Sequence, residues 1–458
     1  MALALIQGCG LQAGRVLGTR PDPLPMPAGI SVAFNQRSDH AYRSPIHAQQ
    51  RNGDDLEALV ITNIEAAKQE ILVAVQELSL PRIAEALAQQ HRRGISVKVV
   101  LENTYSTPWS AEHEAELDSH QRQRRRLLMA LADRDHDGRV SLEEQRSGDA
   151  VAILQAAGVP LLDDTADGSK GSALMHSKYV VIDRRVVITG STNFTASCIH
   201  GDAADRSTRG NVNHLLRLDS AELAERFASD FNQMWGDGPG GEDNSRFGLA
   251  KQSGPAARMR VGETPIDVLF APHRRNDPHQ GLTLIANTLA TARERVDLAL
   301  FVFSAQSLTD VLATLNARGV RLRLLADPGF ASRSFSEVLD LLGMAMADRH
   351  CKLEAKNRPW AEAAKGVGIP RLARGDKLHH KFAVIDERTV ITGSFNWSPS
   401  AAHQNDEVLL VIHSPLVAAH FTREIDRLWK GAELGLTERL IRKLQENRRR
   451  CGSGVERH

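Results

Sequence analysis

The chain has 458 residues, enough for two or three globular domains at ~100–200 residues each. Its 57 basic and 56 acidic residues leave a formal net charge of +1, so no global positive field marks a nucleic-acid binder, although a local basic groove stays open. No apolar run approaches the ~20 residues of a membrane span.

Residues 1–27 read as a signal-like tether. Met1–Gly10 is a short apolar run ending in Gly8-Cys9, similar to the end of a bacterial lipoprotein signal in which Cys9 would carry the lipid, though no basic segment precedes it. A Pro-rich stretch, Pro21–Pro27, follows. The expectation is a protein of the bacterial cell envelope, with a cytoplasmic protein as the alternative. Cys9, Cys198, Cys351 and Cys451 are scattered, with neither metal-ligand spacing nor a disulfide framework, which predicts unpaired thiols.

A first α/β unit spans 28–236 and opens on the strand Ile30–Phe34. Ile71, Val73 and Val75 alternate as in a half-buried strand, and Ile83, Ala84 and Leu87 have helical spacing. Arg93-Gly94 stops that helix before a β-rich run, Ile95–Leu101.

The segment 133–144 matches an EF-hand calcium loop. Asp133, Asp135, Asp137 and Glu144 occupy loop positions 1, 3, 5 and 12, Gly138 stands at 6, Arg139 offers its carbonyl at 7, and Val140 is the apolar residue at 8. Leu127, Leu128 and Leu131 before the loop, and Leu142, Ala150 and Leu154 after it, suit flanking helices. A solvated acidic turn would explain one odd carboxylate but not the full register. The lone loop predicts structural calcium, not a paired sensor. Basic runs at Arg122–Arg126 and Arg448–Arg450 read as solvated faces or as contacts for phosphate.

His176, Lys178, Asp183, Gly190, Ser191 and Asn193 then form a His-x-Lys-x₄-Asp motif with a Gly-Ser-x-Asn turn. A Gly- and Pro-rich linker, 237–262, leads to a second unit, 263–432, and to a basic helix or tail, 433–458. The second unit repeats the first. Ala67–Asn103 aligns with Ala292–Pro328 without a gap, at an offset of 225 (292 − 67), and Ile266–Phe270 matches the opening strand. His379, Lys381, Asp386, Gly393, Ser394 and Asn396 repeat the motif at an offset of 203 (379 − 176), so the first unit carries 22 extra residues (225 − 203), where the calcium-type loop sits.

The spacing has a chemical logic. His and Lys two apart on a strand share a face, which places an imidazole beside a cation. Two such sets facing each other, with two carboxamides, suit a tetrahedral anion that has one attacking and one leaving group. A single His-x-Lys is usually a solvated strand edge. Two complete matches inside a repeat are not explained that way.

On these residues the chain resembles the phospholipase D superfamily, and the resemblance covers most of its length. It implies two homologous α/β/α sandwich halves packed as a pseudo-dimer around one active site. It also implies a phosphodiesterase working through a phosphohistidine, with no metal required. His176 would then be the nucleophile and His379 the general acid and base, with Lys178, Lys381, Asn193 and Asn396 on the phosphoryl oxygens. Asp183 and Asp386 read as anchors of the strand ends.

An acid downstream commonly orients the imidazole in this family, and Glu407, 28 residues after His379, fits. The matching position of the first half is Asn213. Asn213, Asp202 and Asp205 stay open as partners for His176. Phe194 and Trp397 line the site mouth or pack in the core. The preferred substrate is a phospholipid met at a membrane surface, with DNA or RNA as the competing substrate and a non-catalytic, calcium-stabilised binding protein as a further alternative. No obligate protein partner is evident.

Overall fold

A computed structural model describes residues 20–165 and 173–452. The strands of the first half are β1 (Ile30–Phe34), β2 (Ala41–Arg43), β3 (Gln50–Asn52), β4 (Glu70–Val75), β5 (Ser96–Leu101), β6 (Leu161–Asp163), β7 (Lys178–Ile182), β8 (Val186–Gly190) and β9 (His214–Asp219). Those of the second are β10 (Ala257–Val261), β11 (Thr264–Ala271), β12 (Arg295–Leu300), β13 (Arg321–Ala326), β14 (Val367–Ile369), β15 (Lys381–Ile385), β16 (Thr389–Gly393), β17 (Glu407–His413) and β18 (Glu433–Leu434).

The first sheet has the order β1-β9-β8-β7-β4-β5-β6, and the second repeats it as β11-β17-β16-β15-β12-β13-β14 between two added edges, β10 and β18. In each half the helix that follows the first apolar strand crosses over to a parallel neighbour, β4 to β5 and β12 to β13, while the motif strand pairs antiparallel on the other side. The duplication read from the sequence is therefore a duplication of topology.

Three cores organise the layers. One lies under the outer helices of the first half and contains Leu56, Ile83 and Val99; a second contains Leu289, Leu308 and Leu324 of the second half. The third joins the halves: Phe34, Tyr179 and Phe227 pack in one cluster with Val268, Phe382 and Phe421. Helices Ala221–Trp235 and Pro415–Trp429 are the inner layer of each sandwich and meet in this shared core.

Three sequence expectations are corrected. The 237–262 segment is more than a linker, because Ala257–Val261 within it form β10 and its Lys251 is buried between Asp230 (2.6 Å) and Asp406 (3.0 Å). The proline stretch lies against the Pro415–Trp429 helix, where the Pro25 carbonyl meets His420 Nε2 at 3.2 Å and the Asp22 carbonyl accepts from Arg423 at 2.7 Å. Cys351 and Cys451 are not free thiols. They form a disulfide across 100 residues, tying the Glu438–Cys451 helix to the loop between the Glu337–Leu341 helix and β14. Cys198 is free and buried, and Cys9 lies outside the described residues. Among the described residues no helix is long and apolar enough to cross a membrane.

Candidate active site

Each motif strand begins at the site and ends away from it. His176 and Lys178 stand at the head of β7, His379 and Lys381 at the head of β15, and all four are buried. At the far ends, Asp183 and Asp386 start tight three-residue hairpin loops, with φ of 49° at both and 48° and 54° at the residues that follow. Asp183 accepts backbone N–H bonds from Lys68, Gln69 and Glu70, and Asp386 accepts them from Arg293, Glu294 and Arg295. These carboxylates hold the hairpin to the start of β4 or β12 and do not reach the imidazoles.

The Gly-Ser-x-Asn turn is built by close approach. A Cβ on Gly190 would come within 2.3 Å of the His214 carbonyl, and one on Gly393 within 2.2 Å of the Val408 carbonyl, so only glycine lets the turn lie against the neighbouring strand. That contact brings Ser191 Oγ to Asn213 Oδ1 (2.8 Å) and Ser394 Oγ to Glu407 Oε2 (2.6 Å).

From there the two halves cross. Glu407 Oε1 lies 2.8 Å from Nδ1 of His176, in the other half, and Asn213 Oδ1 lies 2.9 Å from Nδ1 of His379. Glu407 was expected to orient His379 of its own half. It faces His176 instead, because the strand heads interleave: His176 N donates to the Asp406 carbonyl and His379 N donates to the Val212 carbonyl. Asp202 and Asp205 do not serve His176. The Asp202 carbonyl faces His47, and the Asp205 carboxylate accepts from Ser207. The Glu407 approach is off the N–H axis, leaving both atoms without an aligned hydrogen bond; such contacts tighten when the reacting complex forms.

Burial dominates the electrostatics. It holds both His176 and His379 well below the usual imidazole range, and Lys178 and Lys381 act on each in the same direction. Burial brings Lys178 down to about 8, opposed by Glu407, and pushes Glu407 up to about 8 against the pull of Lys178. Each imidazole thus senses the lysine of the opposite motif, which is what one shared site requires.

Nδ1 of each ring is turned toward Glu407 or Asn213, so Nε2 is the nitrogen left to face a substrate. Asn213 Oδ1 can only accept, which places the proton of neutral His379 on Nδ1 and leaves Nε2 unprotonated. Lys178 Nζ and Lys381 Nζ each donate to the carbonyl of their own motif histidine at 2.8 Å, which aims the ammonium along the strand head. Asn193 Nδ2 donates to Gln76 Oε1 at 3.2 Å, while Oδ1 of both Asn193 and Asn396 is buried without a partner.

Sequence reasoning missed the residues that surround the histidines. Gln76 touches Lys178 (3.4 Å) and Asn193; the residue 225 positions later is Phe301, whose ring lies 4.6 Å from that of His379. Both follow the last apolar residue of a repeated strand, and the polar-for-aromatic exchange at that register was the available signal. Phe194 and Trp397 are core residues, 1% and 0% exposed. Arg124, read as part of a solvated run, turns inward to Glu77 (2.8 Å) and over the Tyr105 ring.

At the insert, helices Ser119–Ala132 and Leu142–Gly148 flank the acidic loop, and Val140 packs against a cluster of Trp109, Leu128 and Ala132. Asp133, Asp135 and Asp137 bring ligand atoms within 4.8 Å of one another, and Asp133 Oδ1 is buried with no hydrogen-bond partner. Gly138 has the positive φ, 81°, that the sharp turn needs. Glu144 bonds the N–H groups of Arg134 (2.7 Å) and Ser141 (2.9 Å), spanning both ends of the loop.

Comparison with known proteins places this geometry. The family model described as cardiolipin synthase, PLD-like domain, matches residues 60–235 and again 285–429. The mitochondrial cardiolipin hydrolase of Xenopus tropicalis is 30% identical over 142 residues, 31% of this chain and 58% of that protein. That of Chlamydomonas reinhardtii is 26% identical over 198 residues, 39% of this chain and 79% of that protein. A phospholipase D of Rickettsia bellii is 30% identical over 142 residues, covering 31% and 60%. The chain thus spans little more than half the length of two of these three relatives. The crystal structure of phosphatidylserine synthase from Haemophilus influenzae Rd KW20 superposes with a TM-score of 0.52 at 13% identity, over 88% of this chain and 89% of that one, and shares the fold.

Proposed function

The chain belongs to the cardiolipin synthase, PLD-like domain family, and from that membership we propose that it is a phosphodiesterase that hydrolyses a phospholipid through a phosphohistidine. The observation that carries the reading is the crossed pair of contacts, Glu407 with His176 and Asn213 with His379, which makes one site from two motifs.

The asymmetry of that pair assigns the roles. His176 Nε2 attacks phosphorus; the P–N bond forms as the P–O bond to the leaving alcohol breaks. The imidazolium this creates is stabilised by the carboxylate of Glu407, which accepts from Nδ1–H. His379, protonated at Nε2 in the bound complex, gives that proton to the departing oxygen. In the second step the same nitrogen takes a proton from water as the water oxygen displaces His176. An amide partner suits that alternation, since Asn213 keeps the ring oriented without fixing a charge on it. Lys178 and Lys381, with Asn193 and Asn396, hold the non-bridging oxygens.

Phospholipid is preferred over nucleic acid because relatives of this chain are named cardiolipin hydrolase and phospholipase D, and because a formal net charge of only +1 gives little attraction for a polyanion. Turnover of monodisperse phosphatidylcholine, cardiolipin in mixed micelles, and single- and double-stranded DNA tests it. Lipid turnover with a low-pH-trapped phosphohistidine at His176 is expected; turnover of DNA alone would overturn the substrate, and label on His379 would reverse the roles.

The acidic loop fits a hard cation. Asp133, Asp135, Asp137, the Arg139 carbonyl and Glu144 would hold Ca²⁺, with the orphaned Asp133 Oδ1 as the strongest indication. Calcium there supplies charge neutralisation and loop rigidity. No catalytic step involves it.

A further inference from the structure

The surroundings of His379 continue outward as a row of rings. Phe301 lies 4.6 Å from the His379 ring, Phe330 lies 4.6 Å from Phe301, and Phe335 lies 6.4 Å from Phe330, measured between centroids. Phe301 and Phe330 are half-buried, whereas Phe335 is 42% exposed, so the row runs from a catalytic imidazole to solvent. Among the described residues, the same positions of the first half carry no such row. At positions 225 earlier stand Gln76, Tyr105 and Ser110 (301 − 225, 330 − 225, 335 − 225), and Tyr105 is covered by the Arg124 guanidinium 5.0 Å away.

We propose that Phe301, Phe330 and Phe335 form the subsite for the leaving arm of the diester, and that this arm is an alkyl- or acyl-bearing alcohol, not a cationic headgroup. The inference rests on the phosphodiesterase reading above, with His379 as the acid. In-line attack by His176 puts the departing oxygen on the far side of phosphorus, beside the group that protonates it. The chain attached to that oxygen must pass His379, and the row begins there.

Charge selects between occupants. The Phe301 ring already faces Lys381 Nζ at 5.0 Å. Arg333 lies in the segment joining Phe330 to Phe335, Phe-Ala-Ser-Arg-Ser-Phe, which has no carboxylate. Asp327, at its root, commits its oxygens to the N–H groups of Gly329, Phe330 and Leu378. A quaternary ammonium would gain ring faces but meet like charge with no free anion on the segment. An alkyl chain meets no such penalty and gains roughly fourfold in affinity per methylene buried.

The test uses dihexanoyl-phosphatidyl esters of methanol, butanol and octanol below their aggregation concentrations, with kcat/KM measured for the whole protein and for Phe330→Ala and Phe335→Ala. The wild type should favour the octyl over the methyl ester at least tenfold. Each variant should reduce that ratio several-fold while hydrolysing the methyl ester within twofold of wild type. Phe335→Ala removes an exposed ring, so its fold is safe even if Phe330→Ala unfolds. An undiminished preference in Phe335→Ala, or none in a wild type that hydrolyses the methyl ester, would overturn the subsite. So would phosphatidylcholine turning over faster than the octyl ester, or oligothymidylate inhibiting the wild type but not Phe335→Ala, which would make the row a base-stacking platform. A wild type that hydrolyses none of the esters would overturn the phosphodiesterase reading itself and the subsite with it.

Discussion

His176 and His379 stand at matching positions of matching strands, and their neighbours differ in kind. Around His176 the contacts are polar: Glu407 at 2.8 Å, then Gln76 bridging Lys178 and Asn193. Around His379 they are an amide and an aromatic ring, Asn213 and Phe301. The backbone is repeated and the chemistry is not. A duplicated scaffold can thus hold two copies of one residue in unlike surroundings by changing only what touches them.

The largest test of that contrast removes the rings. His176→Ala and His379→Ala should each lower turnover by about 10³-fold or more with the thermal transition preserved, because residues acting as one unit fail together. Full activity in either variant would mean that the shared site is wrong.

Glu407→Gln should be next, at about 10²-fold in kcat, with Asn213→Ala milder. The pH dependence sharpens it. Glu407 must be ionised to hold the Nδ1 proton of His176, and burial has pushed it up to about 8, so kcat/KM should rise with pH toward that value. Lys178 must be charged to hold phosphate and has been brought down to about 8, so the rate should fall above it. In Glu407→Gln the rising limb attributed to Glu407 should vanish while the falling one stays. A profile unchanged in shape would remove Glu407 from the mechanism.

Asn213→Glu acts in the other direction by giving His379 a carboxylate of its own. Trapped phosphate, confined to His176 in the wild type, should then appear partly on His379. Label confined to His176 in the variant would show that the partner atoms do not decide the roles.

The insert, which the second half lacks, should matter least to turnover. Ca²⁺ that binds the folded chain should stabilise it by about 2.7 kcal/mol at a hundredfold excess over Kd, with Kd in the ~10⁻⁵ to 10⁻³ M range. Glu144→Gln should abolish the shift, and a chelator should leave measurable turnover. Calorimetry showing no binding at millimolar Ca²⁺ would refute the loop; loss of all turnover in a chelated but folded protein would make its role catalytic.

Much of this was legible in the sequence. The alternation of Ile71, Val73 and Val75, the spacing of Ile83 and Leu87, and the repeated Gly-Ser-x-Asn turns fixed β4, the helix Pro81–Arg92 and the site rim, because local periodicity and backbone sterics determine them. The crossing was not. Glu407 lies 28 residues after His379 and 231 after His176 (407 − 379, 407 − 176), and sequence distance gives no hint that interleaved strand heads bring the farther pair together. The Cys351–Cys451 bridge and the Asp230–Lys251–Asp406 cluster escaped for the same reason: each closes a long loop whose ends carry no shared pattern.

The crossing has an evolutionary consequence. Two identical subunits meeting on an exact twofold axis must present the same residue to both imidazoles, and any substitution alters the two together. Joined in tandem, the copies can be edited separately, so position 407 keeps a carboxylate while position 213 holds an amide. Because each of these residues serves the histidine of the other copy, neither half can drift alone: a change inherited by one is felt in the chemistry of its neighbour.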